Sequence, residues 1–153
     1  MFNLLRPISL VFLLLAITPN QALAFGNDDE WVSGFGMGVC ESIIRKGPGN
    51  DIYIACDCGS GLGSTVSFTL EGKPPTGNTV RLTFDEINSE DFWITDGKIT
   101  SDCHACSVSF DVAIKRFKKY ESVDVRFENG LSARFNLKGA NSAIRECVSD
   151  FAR

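Results

Sequence analysis

Apolar side chains along this chain recur mostly with a period of two, the pattern of a strand with one buried face. In "STVSFTL", Val66, Phe68 and Leu70 fall to one side and Ser67 and Thr69 to the other. In "TVRLTF", Val80, Leu82 and Phe84 point inward. "DIYIACDC" combines β-branched and aromatic residues with the same alternation and is predicted as a strand, with "GSGLG" as a loop. The link "EGKPPTGN" is too short for a crossover helix, so the two strands beside it are expected to pair antiparallel. "DFWITDGKIT" predicts a small hairpin around Asp96-Gly97. "SVDVRFENGLSARFNL" carries a parity constraint. Val123, Val125 and Phe127 share one face, and Leu131, Ala133, Phe135 and Leu137 share one face of the next strand. A two-residue Asn129-Gly130 loop would set these faces on opposite sides of the sheet. A loop of Glu128, Asn129 and Gly130 pairs Phe127 with Leu131 and Val125 with Ala133, with Gly130 left-handed in a bulge.

Three stretches break the two-residue rhythm. Phe110, Ala113, Ile114 and Phe117 stand at i, i+3, i+4 and i+7 and predict a helix, with Ser109 as N-cap, Asp111 in its first turn, and Lys118 and Lys119 at its end. Ala140, Ile144, Cys147, Val148 and Phe151 give a closing helix with a buried stripe. Val39, Ile43 and Ile44, around Cys40, predict a short helix from Gly38 to Arg45, ended by "KGPGND". Residues 25–30 are polar and acidic and predict a loose arm. The expected fold is therefore α+β: an antiparallel β-sheet with about three short helices packed mainly on one face, stapled by disulfides. Glycines 34, 36 and 38 resemble part of a nucleotide-binding loop, but no strand precedes them and the later glycine and acid are out of place.

The first residues set the compartment. Arg6, the apolar run from Ile8 to Ile17, Pro19 and the cleavage pattern Ala22-Leu23-Ala24 make residues 1–24 a secretory signal peptide. The run is about half the roughly 20 apolar residues that a membrane span requires, and no cysteine follows Ala24 to take a lipid anchor. Residues 25–153 then form a single domain, with no stable membrane insertion after cleavage. The chain has 15 Lys and Arg against 19 Asp and Glu, a net charge of −4, and losing Arg6 makes the exported part more acidic. That balance disfavours nucleic acid as a partner. The basic run Lys115, Arg116, Lys118 and Lys119 is expected on a solvated helix face. The absence of N-x-[ST] leaves no glycan signal and leans towards a bacterial periplasm, so the expected location is periplasmic or secreted.

All six cysteines, Cys40, Cys56, Cys58, Cys103, Cys106 and Cys147, lie beyond the signal, and an even count in an exported chain reads as three disulfides. Cys56 and Cys58 sit two apart on a strand, where a mutual bond would be strained. They therefore draw partners from Cys40, Cys103, Cys106 and Cys147. If the C-x-x-C of "SDCHACSV" closes on itself, Cys40 and Cys147 remain for them; the sequence leaves the pairing open. A redox role for Cys103 and Cys106 has the preceding strand and following helix in its favour, since a helix N-terminus stabilises thiolate. The late position of the motif and the missing βαβ signals weigh against it. Zinc could draw on Cys56, Cys58, Cys103, Cys106 and His104, but an oxidising compartment favours disulfides, so no metal and no cofactor is expected. The sole histidine, His104, lacks an evident orienting acid and nucleophile. Asp85, Glu86, Glu90 and Asp91 cluster near one turn. Acid–base work needs a pocket that separates two pKa values, and calcium needs an EF-hand spacing that this cluster lacks. No catalytic residue is assigned.

Residues 79–147 carry a resemblance. A strand ending at Asp85, an aromatic segment, "CHACSVSFDVAIKRFKK", a hairpin and "FNLKGANSAIREC" follow an order similar to the invasion-associated locus B family of exported bacterial proteins. The C-D-C at 56–58 and "GFGMG" depart from that family. The resemblance implies a non-enzymatic, virulence-associated role at the cell envelope or host interface and brings no catalytic motif. Three functions are weighed: an exported interaction module with a protein partner at the envelope; a periplasmic inhibitor or immunity protein against a cell-wall hydrolase, which acidic surfaces suit; and a thiol–disulfide oxidoreductase. Trp31 and Trp93 are the candidate contact residues, provided that they are exposed.

Overall fold

The structure, a computed structural model, describes residues 28–149. The expected signal peptide, the start of the expected acidic arm and Phe151 lie outside the described residues. Nine strands and two helices follow in order: β1 (Val32–Gly36), β2 (Val39–Arg45), β3 (Asp51–Asp57), β4 (Thr65–Thr69), β5 (Thr79–Phe84), β6 (Asn88–Trp93), β7 (Lys98–Thr100), α1 (His104–Lys119), β8 (Ser122–Phe127), β9 (Ser132–Asn136) and α2 (Ala140–Ala143). They form two antiparallel sheets, β1-β2-β3-β4-β7 and β6-β5-β8-β9. The architecture is β-rich, which corrects the expectation of one sheet beneath three helices.

Both sheets turn their apolar parity onto one core. Cys40, Ser42 and Ile44 of β2 lie opposite Cys56, Ile54 and Ile52 of β3, and Val66 of β4 lies opposite Ile99 of β7. Val80, Leu82 and Phe84 of β5 face Phe127, Val125 and Val123 of β8. The buried face of α1, formed by Phe110, Ala113, Ile114 and Phe117, completes the same cluster. Phe117 meets Phe84 and Trp31 edge-on, with ring centroids 5.7 and 6.5 Å away. Arg116 crosses the Phe84 ring to pair with Glu90 of β6 at 2.7 Å, which ties the helix to the second sheet.

Four local expectations need correction. Residues 39–45 are strand β2 and not a helix: the side chains of 40, 42 and 44 face the core while Ile43 is buried on the other side, so apolar residues on both faces mimic helical spacing. β4 and β5 do not pair; they belong to different sheets. The link between them closes back on itself through Leu70 and Lys73 and then runs through Pro74-Pro75, which have no N–H to extend a ladder. The Asp96-Gly97 turn is present, with Thr95 and Lys98 exchanging both backbone hydrogen bonds, but its flanks β6 and β7 pair in different sheets. The closing helix is the four-residue α2. A nucleus that short gains little, and the Cys56–Cys147 bond and the Ser149–Asp111 hydrogen bonds fix the chain beyond it.

Other details refine the expectations. α1 starts at His104 with Cys103 as its N-cap, six residues before the expected Ser109, and Asp111 lies within the helix and binds Ser149. Asp28 and Asp29 are tied down, to the N–H of Gly47 and to Lys46. The β8–β9 hairpin keeps the predicted parity: Val125 pairs with Ala133, the Phe127 N–H donates to the Leu131 carbonyl, and Gly130 has φ +91°.

Candidate functional site

Strand parity separates the two tryptophans. Trp31 is buried among core residues, where its Nε1–H donates to the Asn136 carbonyl at 3.2 Å. Trp93 is 73% exposed, because β6 turns Phe92 inward and must turn its neighbour out. It stands on the outer face of the second sheet, opposite Thr79 of β5. Two residues further along, Asp91, Arg81 and Arg126 lie side by side across β6, β5 and β8. By sheet geometry Trp93 and Arg126 are roughly 12 Å apart.

These polar groups are held in place. Arg81 grips Asp91 through two parallel hydrogen bonds of 2.7 Å, and this pair holds the Asp91 carboxyl below its ordinary pKa. Glu128 accepts from the backbone N–H groups of Asn78 and Thr79 and from the Thr79 hydroxyl, and this set of donors lowers its pKa as well. The two arginines of β5 and β8 face one another directly. Asp91 pairs with Arg81, and Arg126 stands beside them as a second exposed guanidinium of a shallow groove of about 350 Å³, which Thr79, Arg81, Asp91, Glu128 and Gly130 also line. An aromatic plate beside ordered, charged hydrogen-bonding groups is a surface suited to contact.

A second, larger groove of about 710 Å³ lies where the core face of the first sheet emerges at β1. Phe35, Cys40, Cys58 and Cys147 line it, with the segment after α2 as its other wall. Ser42 anchors that wall by donating to the Ala143 carbonyl at 2.8 Å.

All six cysteines are paired: Cys40–Cys58, Cys56–Cys147 and Cys103–Cys106. This is the pattern in which the C-x-x-C closes on itself. It spends the sulfurs that a zinc site would have needed. The acidic cluster is also resolved into separate partnerships: Asp85 accepts from the N–H groups of Glu121 and Ser122, Glu86 binds Arg134, Glu90 binds Arg116 and Asp91 binds Arg81. Of the candidate residues named from sequence, Trp93 and Asp91 join this surface. Thr79, Arg81, Arg126 and Glu128 were missed, and the signal that could have found them is their outward parity on strands whose inward residues were already assigned.

Neither the curated proteins nor the solved structures yield a match to this sequence. These comparisons do not bear on the resemblance to the invasion-associated locus B family. The profile of the YfjT family matches residues 29–144, a span that holds all nine strands and both helices. The chain belongs to the YfjT family.

Proposed function

We propose that the protein is a non-enzymatic binding module of an oxidising compartment, periplasmic or secreted, which engages a protein partner through the outer face of β6, β5 and β8 around Trp93. The observation that carries this reading is the large exposed indole on a sheet whose neighbouring polar groups are already fixed by hydrogen bonds. Such a surface loses little conformational freedom on binding. The disulfides agree with export, and the signal peptide read from residues 1–24 supplies the route.

The test is affinity capture from an envelope fraction with the exported protein and its Trp93→Ala variant. A partner retained by the native protein should bind the variant at least about tenfold more weakly, as truncation of a central aromatic anchor predicts. A partner held equally by both proteins contradicts the assignment of the surface. Recovery of one tight cell-wall hydrolase, with loss of its activity on binding, would narrow the role to the inhibitor.

A further inference from the structure

The three disulfides occupy different physical situations. Cys56 and Cys147 are buried and join positions 91 residues apart. Cys40–Cys58 joins β2 to the exposed residue after β3 and closes a loop across 18 residues. Cys103–Cys106 spans three residues, at the solvent-facing start of α1, with Cys103, His104 and Ala105 exposed. The smallest loop constrains the unfolded chain least. The helix it caps does not depend on it either. The backbone already turns there through the Ser107 N–H to the Cys103 carbonyl at 2.7 Å, and buried Ser107 fixes the first turn through its hydroxyl on the His104 carbonyl. A cross-link with so little structural work, placed where thiols in solution can reach it, points to chemistry.

We propose that Cys103–Cys106 is a reversible thiol–disulfide exchange site that reacts stoichiometrically with thiols, a function beyond the contact surface, while the other two bridges stay closed. The Cys103 Sγ is the N-cap of α1 and accepts the Cys106 N–H at 3.1 Å. No acidic residue stands in the first turn of this 16-residue helix to offset its positive end. The acid nearest in sequence, Asp102, precedes the cap and accepts from the Thr100 hydroxyl. A thiolate on Cys103 would keep the same N–H, so the cap survives reduction.

The exchange balances as follows. A thiolate RS⁻ attacks the exposed Cys103 sulfur, the Cys103–Cys106 bond breaks, and Cys106 leaves as thiolate, giving the mixed disulfide RS–Cys103. A second thiolate R′S⁻ attacks the R sulfur, RS–SR′ forms, and Cys103 leaves as thiolate. Two thiols are oxidised, one protein disulfide is reduced, and the protons released by the thiols are taken up by the cysteines according to pH.

The test uses the whole exported protein in glutathione buffers of graded reduced-to-oxidised ratio, quenched by alkylation and mapped by peptide mass. Cys103 and Cys106 should be labelled together at ratios that leave the other four cysteines unlabelled. A parallel arm with reduced thioredoxin, a protein dithiol, identifies the source: faster opening there at equal thiol concentration assigns the reductant to a protein, and slower or equal opening assigns it to small thiols. In Cys106→Ser, the remaining Cys103 thiol should alkylate with a pH midpoint at least about one unit below the ordinary ~8.5. Opening of Cys40–Cys58 before Cys103–Cys106 in both arms, or an ordinary pH midpoint for Cys103, overturns the proposal. Loss of binding in Trp93→Ala leaves this result unchanged, since the two surfaces are tested separately.

Discussion

Single side chains hold several of the loops. The Asp57 carboxylate, at the end of β3, accepts from the N–H groups of Gly59, Ser60 and Gly61 at 2.9, 2.7 and 3.0 Å, and from the Ser60 hydroxyl at 2.9 Å. These donors lower its pKa to about 2, against an ordinary value of 3.8. A depressed folded-state pKa gives stability that is fully present above the unfolded value and is lost as pH falls from about 4 to about 2. Urea titrations of the native protein and Asp57→Asn should therefore show the variant weaker at pH 7 and the two converging by about pH 2. A gap that persists at pH 2 contradicts this role. The tryptophans give a second contrast. Trp31→Ala empties part of the core and should cost about 3–5 kcal/mol, whereas Trp93→Ala should leave the thermal midpoint nearly unchanged while weakening partner binding at least about tenfold.

At the scale of elements, the turn between β1 and β2 rests against the loop that Asp57 organises. The Gly38 carbonyl accepts from the N–H groups of Cys58 and Ser60. Gly38 has φ +80°, and a Cβ there would lie 2.6 Å from the Ser60 nitrogen. Gly61 has φ +70° but faces open space. Gly61→Ala should cost about 1 kcal/mol from its left-handed backbone alone, and Gly38→Ala clearly more, because a backbone must move as well. Equal midpoints in thermal denaturation would show that the two loops do not depend on this contact. The same elements show what a sequence reveals. The β8–β9 hairpin was legible to the residue because both strands bury one face, so only one loop length satisfied both parities. β2 was not, because Ile43 is buried opposite Ile44 and erases the alternation. Trp93 was legible as an aromatic of interest, but its exposure followed only from the register with β5.

For the whole molecule, the division into two sheets was hidden because β4 and β5 look like a hairpin, and nothing local states that each will find a distant partner, β4 in β7 and β5 in β8. The disulfides were more legible, since elimination on one strand reduced the choices before any geometry was known. They also set the energetic hierarchy. The Cys56–Cys147 loop should contribute about 4–5 kcal/mol and the Cys40–Cys58 loop about 3 kcal/mol by restricting the unfolded chain. Replacing both Cys56 and Cys147 by Ala should thus lower the thermal midpoint more than replacing both Cys40 and Cys58, and far more than replacing Cys103 and Cys106 by Ser. The most direct measurement is a non-reducing peptide map of the processed polypeptide recovered from its native location and alkylated at once. A braced contact scaffold predicts Cys40 joined to Cys58 and Cys56 joined to Cys147 in every molecule, with label confined to Cys103 and Cys106. Label on any of the first four, or a bond between Cys40 and Cys56, would contradict it.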